Sequence, residues 1–511
     1  MADIIKVKEI ARELANISTE YSRLNWVKYT TGYDFGIKEA YKKMLKVMKD
    51  PKKYNIILDH LEKDLSAEDM RRVENIERRF KNYHLSAELN KLSERMEQKT
   101  TELSQVLNTH RNKVRGRQVT SVEIAQMIQQ SDDAELRKEA YMSRAAVNKP
   151  LVDTGFIELL EMRKEYARLY GADNYVNYSL EQRELDPGIF SSWRSELQEQ
   201  LPKMKSVQKD FAEKYLGKEE LQPWDGGYLS GKIAPELKKE VDMSGFYEPL
   251  RRLYSRFGID ISSDNTTYDV FPRQNKSEWG YNFPIEAGVE SRILANVQNR
   301  YNQFGVLLHE TGHAMHFARL DVDDILLNYG VSGIISEGIA NLFGAFLYEE
   351  VFYADFFADE LESAREHFSE LKAWQKLNSL AAIENIFFDQ ALYLNPIKSI
   401  DDIHELKWKM YAELLDKKPY AEEPVWGFLI HHTTHPIYLH NYFMGDVTGA
   451  MLKKVFCEQQ QINNILEKPE DFGRFVIDKV IKPSGRYPYA ELFKRISGRD
   501  FSLDYLKLSG K

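Results

Sequence analysis

The chain has 511 residues, of which 43% are hydrophobic and 12% aromatic, so it can bury a large core. It carries 70 basic and 79 acidic residues, and the resulting net charge of −9 argues against nucleic acid as a partner. The single cysteine, Cys457, excludes an intrachain disulfide and is typical of a reducing compartment. No run of 18 uncharged apolar residues predicts a membrane span. We therefore expect a soluble, cytoplasmic protein with no membrane partner.

Residues 1–220 contain few glycines and prolines and show the apolar spacing of helices. The first segment predicts an amphipathic helix and lacks the apolar stretch and cleavage site of a signal peptide. Ser66 and Asp69 resemble a capping box at the start of a second helix. Asp186 followed by Pro187 predicts a further helix start, with proline at the first helical position.

The strand signals are confined to residues 258–300, at 267–271 and at 289–297, where apolar positions recur with period 2. A small sheet is therefore expected in this region. An edge strand of that sheet could bind an extended peptide by strand addition, and a purely structural sheet fits the pattern equally well. From residue 300 to about residue 480 the chain is predicted to be helical again, followed by a loop and a short helix.

Residues 309–313 read HETGH, which is the HExxH motif. On a helix, His309 and His313 lie one turn apart on the same face, as two nitrogen ligands of a tetrahedral zinc require. Glu310 would then lie beside the water at the open metal position and act as its general base. A surface helix with two unconnected histidines is the alternative.

A hydrolytic zinc site needs a third protein ligand. A third histidine in HExxHxxGxxH would require glycine and histidine where this chain has His316 and Arg319. Glu337 lies 24 residues after His313 in an apolar run, where an unpaired charge is costly to bury, and it is the predicted third ligand. A favourable interaction with a helix N-terminus is its alternative role. Asn341, one turn later, is predicted to orient a histidine ligand as a neutral acceptor.

The segment 431–442 contains four of the 12 histidines together with Tyr438 and Tyr442. Imidazole N–H and phenol O–H groups can both donate to the oxyanion of a tetrahedral intermediate. Tyr438 and Tyr442 are four residues apart, so one helix face can present both. With His432 they are the predicted oxyanion donors, and His435 is a candidate substrate contact. A second metal site or a partly buried polar helix start would also explain the segment.

In these motifs the chain resembles the thimet oligopeptidase/oligoendopeptidase family of zinc metallopeptidases. The residues HETGHAMH match the family's HExGHxxH, and His432, Tyr438 and Tyr442 are similar to its His, Tyr, Tyr segment. The loop at 223–228 resembles the loop upstream of the family's catalytic region. The segment 484–500 resembles the C-terminal end of the family's sequence.

The similarity covers about residues 220–505, whereas the first 220 residues match mainly in being helical. The spacing to Glu337 and the residues around it are closer to the related angiotensin-converting-enzyme-like group. The chain length also resembles carboxypeptidases of the same gluzincin superfamily. The resemblance therefore identifies the superfamily and leaves more than one branch open.

The resemblance implies a mainly α fold, a neurolysin-like helical ellipsoid with a deep central channel and one small β-sheet next to the HExxH helix. It implies a single catalytic unit over residues 1–511. Residues 1–220 would form a helical wall of the channel and residues 221–511 the catalytic part, with the subdomains interleaved. Only short unstructured peptides would enter such a channel.

The predicted function is the hydrolysis of peptide bonds in short oligopeptides by a zinc-activated water, with Glu310 as general base. One zinc ion per chain is expected, held by His309, His313 and Glu337. An oligoendopeptidase is the favoured activity, and a metallocarboxypeptidase or dipeptidyl carboxypeptidase is the alternative. Such an exopeptidase needs a cation or a tyrosine that binds the free C-terminal carboxylate, for which Arg292, Arg486 and several lysines are candidates. An inactive helical peptide-binding protein is the remaining alternative.

Overall fold

The computed structural model describes residues 3–278 and 280–508, and their regular structure is predominantly helical, as predicted. The α-helices are α1 (Ile5–Thr31), α2 (Ile37–Met48), α3 (Pro51–Leu61), α4 (Ala67–Lys81), α5 (Ala87–Thr109), α6 (Ser121–Gln130), α7 (Ala134–Met142), α8 (Asn148–Asp153), α9 (Phe156–Tyr170), α10 (Tyr175–Glu181), α11 (Trp193–Leu216), α12 (Gly226–Ile233), α13 (Tyr247–Arg256), α14 (Phe304–Ala318), α15 (Ile325–Asn328), α16 (Gly333–Gly344), α17 (Glu350–Phe357), α18 (Leu361–Ala381), α19 (Ile383–Leu394), α20 (Ile400–Leu415), α21 (Leu439–Gln460), α22 (Pro469–Phe475) and α23 (Tyr489–Ser497). The strands are β1 (Asn112–Val114), β2 (Arg117–Val119), β3 (Thr266–Asp269), β4 (Tyr281–Glu286) and β5 (Glu290–Leu294). Among the described residues, no helix is both long and apolar enough to cross a membrane.

The chain forms two compact units, each assembled from segments that are discontinuous in sequence. The first unit comprises Met1–Ser86, Lys239–Asp359 and Met444–Phe501, and the second comprises Ala87–Lys238, Glu360–Phe443 and Ser502–Lys511. The first unit contains the HExxH helix α14. The roles of residues 1–220 and 221–511 as channel wall and catalytic part stay predictions.

The N-terminal helices begin close to the predicted positions. Ser66 caps α4 by accepting a hydrogen bond from the Asp69 amide at 3.1 Å. Asp186 caps only the short 3-10 turn Pro187–Phe190, and the long helix α11 begins later, at Trp193. A glycine within that first turn weakens α-helix formation, so the predicted helix start is displaced.

The sheet of the first unit has the strand order β3-β5-β4, with β3 parallel and β4 antiparallel to β5. Strands β3 and β5 correspond to the predicted strands at 267–271 and 289–297, each with a shorter range. Strand β4 was not predicted, because Pro284 within it is a residue that sheets tolerate mainly at an edge. The sheet packs against α14, as expected for a sheet next to the HExxH helix.

Lys276 attaches the segment between β3 and β4 to the sheet through hydrogen bonds. Its buried ammonium group donates to the carbonyl oxygens of Asp269, Phe271 and Ala295 at 2.9, 2.8 and 2.5 Å. It also lies 3.0 Å from the Asp269 carboxylate, which compensates its charge. The backbone that leads into β4 is thereby fixed from inside the protein.

Two predictions about secondary structure were wrong. Strands β1 and β2 form an antiparallel hairpin outside the region 258–300, with Arg115 and Gly116 of its turn both at positive φ. The expected continuous helical region after residue 300 is interrupted between the end of α20 at Leu415 and the start of α21 at Leu439. Three prolines in this interval interrupt helix formation because they lack the amide donor.

Helices α14, α16 and α21 approach one another closely at glycines. A Cβ atom on Gly312 of α14 would lie 2.8 Å from the Ala340 Cα atom of α16. A Cβ atom on Gly445 of α21 would lie 2.9 Å from the Cβ atom of Glu337. Both distances are shorter than real contacts allow, so these helix pairs require a residue without a side chain.

Gly312→Ala should therefore destabilise the first unit, because the new methyl group meets backbone rather than a movable side chain. Overpacking of this kind costs about 1–3 kcal/mol. Thermal unfolding followed by circular dichroism should show a lower midpoint. Gly333→Ala is the matched control on α16, since a Cβ there meets nothing within 4 Å. An equal midpoint of thermal unfolding for Gly312→Ala and wild type would contradict the conclusion that this helix pair requires a residue without a side chain.

Candidate metal centre

Three side chains of the first unit converge at one point. The Nε2 atoms of His309 and His313, one turn apart on α14, lie 3.2 Å from each other. The Glu337 Oε2 atom on α16 lies 3.7 and 3.8 Å from these two nitrogens. Helix α16 begins at Gly333, so Glu337 lies beyond its first turn, where the helix dipole has little influence. A favourable interaction with the helix N-terminus therefore does not explain why the Glu337 carboxylate is buried. Its convergence with the two histidines does.

The three atoms fit a tetrahedral zinc ion. Ligand atoms about 2.1 Å from such an ion are about 3.4 Å from one another, close to the separations observed. The Glu337 Oε2 atom is buried and has no hydrogen-bond partner among the described residues. A buried carboxylate oxygen without a donor is costly unless a cation compensates it, so the donor set suits a metal ion.

Burial keeps both histidines neutral, which is the form that binds a metal. Desolvation lowers the pKa of His309 to about 4 and places that of His313 well below its usual value. The same desolvation, followed by the charge of Asp446, raises the pKa of Glu337 to about 7. A cation among these groups would favour the ionised carboxylate.

Glu310 lies beside the ligands and next to the start of β4. A Cβ atom on Gly280 would lie 3.4 Å from the Glu310 Oε1 atom. Burial, and to a smaller extent the charge of Glu337, raises the pKa of Glu310 to about 8. A hydrogen bond from the backbone amide of Asn282 partly opposes this rise. Strand β4 is therefore part of the site, although its sequence gave no strand signal.

Two polar contacts orient the histidine rings. With its Nε2 atom facing the other ligands, His313 donates its Nδ1–H to Ser336 Oγ at 2.8 Å. Asn341 acts on His309 by a hydrogen bond that raises its pKa, and its own amide donates to Asp446 Oδ1 at 2.8 Å. The sequence indicated Asn341. It did not indicate Ser336 or Asp446.

The predicted oxyanion donors belong to the second unit. His432 is buried, its Nδ1 atom lies 3.2 Å from the Trp426 carbonyl oxygen, and desolvation lowers its pKa to about 3. Tyr442 is 42% exposed, and its ring lies 5.4 Å from that of Tyr438. The histidine that stacks on Tyr438 is His431, with a ring separation of 5.7 Å. The roles of these residues at an oxyanion stay predictions.

Arg292, one of the candidates for binding a C-terminal carboxylate, is already paired within the first unit. Its Nε atom donates to Glu290 at 2.7 Å, and its guanidinium lies 4.7 Å from the centre of the Trp26 ring. Glu290 also binds Arg23 at 2.7 Å. These contacts leave Arg292 fewer free donors for a substrate carboxylate.

The sequence is similar to known peptidases. The sequence model of Peptidase family M3 matches residues 127–266, a segment that precedes the HExxH helix. Oligopeptidase A of Haemophilus influenzae is 23% identical over 459 residues, an alignment that covers 73% of this chain. The chain spans 65% of the length of that relative.

Solved structures of peptidases share the fold. An M32 carboxypeptidase from Deinococcus radiodurans superposes with a TM-score of 0.66 at 14% identity, over 98% of this chain and 96% of that one. A putative oligoendopeptidase F from Bacillus anthracis superposes with a TM-score of 0.67 at 16% identity, over 95% and 86%. These findings confirm the resemblance to the thimet oligopeptidase/oligoendopeptidase type of metallopeptidase, and the mainly helical fold.

Proposed function

We propose that this chain is a zinc-dependent peptidase that hydrolyses short oligopeptides, with internal cleavage as its main activity. The observation that carries this proposal is the convergence of His309, His313 and Glu337 with Glu310 beside them. The similarity to oligopeptidase A and the fold shared with a putative oligoendopeptidase F support an oligopeptide substrate. All four residues are intact, which argues against an inactive peptide-binding protein.

Some side chains of the site would bind the metal ion, and others would orient its ligands. His309, His313 and Glu337 would hold one zinc ion, which when bound acidifies water and polarises a peptide carbonyl. Ser336 and Asn341 would fix the ring orientation of the two histidines, Ser336 through the Nδ1 atom of His313 and Asn341 through its hydrogen bond with His309. A structural zinc site would need a fourth protein ligand, and the group found among the described residues has three.

Glu310 acts as the general base. Its carboxylate takes the proton of the attacking water and transfers it to the leaving amine. Its location beside Gly280 supports this role, because an extended peptide paired with the edge strand β4 would pass close to its Oε1 atom. The buried surroundings hold the side chain in one place and favour proton exchange near neutral pH.

Oxyanion stabilisation is assigned to Tyr442 and His432, with Tyr438 as the other candidate. The exposed fraction of Tyr442 supports its access to substrate, and the two tyrosine rings contact each other at the start of α21. Loss of one oxyanion donor costs about 3 kcal/mol of transition-state stabilisation.

Removal of residues from a free C-terminus is the second candidate activity. The M32 carboxypeptidase, which matches almost the whole chain in fold, favours it. The pairing of Arg292 with Glu290 argues against that arginine as the carboxylate-binding group.

The two activities can be separated with peptides of graded length, each supplied with a free and an amidated C-terminus. We expect internal cuts in both forms, seen by mass spectrometry of the products. Loss of one or two residues from free ends alone would assign the chain to the carboxypeptidases. The absence of any cleavage by zinc-loaded protein would refute the proposed function.

Glu310→Gln should retain zinc and abolish hydrolysis, because the amide preserves the shape of the side chain but cannot accept the proton. Zinc content by atomic emission should be one ion per chain for wild type and for Glu310→Gln. His313→Ala is the contrasting variant and should lose the metal. Substantial turnover by zinc-loaded Glu310→Gln would show that another group is the base.

Tyr442→Phe should lower kcat more than it raises KM, because the phenol O–H is assigned to the transition state rather than to substrate binding. A reduction in kcat of about a hundredfold is expected. Tyr438→Phe is the matched variant. If Tyr438→Phe loses kcat and Tyr442→Phe does not, the donor is Tyr438.

A further inference from the structure

The residue immediately before Tyr438 has a strained backbone. Ile437 has a φ of +52°, in the left-handed region that β-branched residues rarely adopt. Its side chain is nevertheless buried, with 1% of its surface exposed. Packing therefore requires a large apolar residue at a position where the backbone favours glycine. Such strain persists only where surrounding contacts enforce it, and it is concentrated at functional sites.

The contact that enforces it comes from Asp389 of α19. The Asp389 Oδ2 atom accepts a hydrogen bond from the Ile437 amide at 2.6 Å. Asp389 is buried, and its other carboxylate oxygen has no hydrogen-bond partner among the described residues. Among the described residues, the hydrogen bond from the Ile437 amide is thus the one that satisfies this buried carboxylate. Loss of that bond would be costly, because a buried polar group without a hydrogen bond is destabilising.

The loop before Ile437 is held at a second point. The buried guanidinium of Arg163 donates to the Thr433 carbonyl oxygen at 2.7 Å and to the Tyr393 hydroxyl at 2.9 Å. Burial raises the pKa of the Asp389 carboxyl well above its usual value, and the Ile437 amide and the charge of Arg163 oppose that rise. The two contacts fix both ends of the segment between Thr433 and Ile437.

We propose that Asp389 is a positioning residue, which holds the strained turn at Ile437 and thereby sets the orientation of Tyr438 and Tyr442. The inference rests on the proposed function, in which these tyrosines are the candidate oxyanion donors. Tyr438 directly follows Ile437, and α21 begins at the next residue. A change in the turn therefore rotates the start of α21 and moves both phenol groups.

Surrounding contacts support this geometry. The guanidinium of Arg183 lies 5.8 Å from the centre of the Tyr438 ring and donates to the Ser179 carbonyl oxygen at 2.7 Å. The imidazole of His431 also stacks on the Tyr438 ring, with the ring centres 5.7 Å apart. The ring thus occupies a defined place only while the backbone at Ile437 keeps its conformation.

The test compares two substitutions of similar size at one position. Asp389→Asn keeps an acceptor oxygen for the Ile437 amide, whereas Asp389→Leu removes it. We expect Asp389→Leu to lower kcat by about tenfold to a hundredfold with little change in KM, as misplaced catalytic groups do. Asp389→Asn should stay within a few-fold of wild type. Gln390→Leu, at the adjacent buried polar residue of α19, is the control for the loss of a polar group from the helix.

A spectroscopic readout separates positioning from general destabilisation. Protein labelled with 3-fluorotyrosine should show fluorine resonances of Tyr438 and Tyr442, assigned with the two Tyr→Phe variants. Both resonances should shift in Asp389→Leu and keep their positions in Asp389→Asn and Gln390→Leu. Zinc content and far-ultraviolet circular dichroism should be the same in all of these proteins.

Relief of the strain gives a second, independent test. Glycine adopts positive φ without strain, so Ile437→Gly should reduce the need for the hydrogen bond. The loss of kcat caused by Asp389→Leu should then be smaller in the Ile437→Gly background than in wild type. This comparison holds even though Ile437→Gly itself loses side-chain packing.

Unshifted tyrosine resonances in a folded Asp389→Leu protein would overturn the proposal, as would equal losses of kcat in the Asn and Leu variants. The fluorine spectra do not depend on catalysis. If the wild-type protein cleaves no peptide, the proposed function fails, while the spectra still decide whether Asp389 positions the tyrosines.

Discussion

The absence of a side chain at Gly312 sets the distance between the two helices that carry the candidate metal ligands. Because α14 meets the backbone of α16 at this point, the imidazoles of the HExxH motif and the Glu337 carboxylate reach a common centre. Glu337 in turn lies against Gly445 of α21, so the ligand is held from both sides. The geometry of the site thus depends on close helix packing as much as on the ligand types.

Burial determines the electrostatics of the same region. It keeps both imidazoles in the neutral, metal-binding form and disfavours the charges of Glu310 and Glu337. Two carboxyl groups and two neutral imidazole nitrogens in one buried place form a donor set that suits a divalent cation. Burial likewise raises the pKa of Asp389 in the second unit, where the Ile437 amide and the charge of Arg163 oppose that rise only in part.

The sequence predicted those parts of the site whose spacing is local. HExxH lies on one helix, and Glu337 was recognisable as a charge in an apolar run. Strand β4 was missed because Pro284 obscures its pattern. Asp446 and Asp389 act on residues 105 and 48 positions away, so no local pattern could indicate them. The helical class follows from apolar spacing, whereas the interruption before α21 follows from three prolines within a segment whose other residues are compatible with a helix.

The buried ammonium group of Lys276 couples the local unfolding of strands β3 and β5 in the first unit. It binds the carbonyl oxygens of Asp269 at the end of β3, Phe271 in the following loop and Ala295 directly after β5, and it replaces the water that these oxygens would otherwise bind. Release of any one strand would leave a buried charge with incomplete solvation. We therefore expect β3 and β5 to unfold locally as one cooperative block, with amide protons that exchange with solvent together rather than strand by strand.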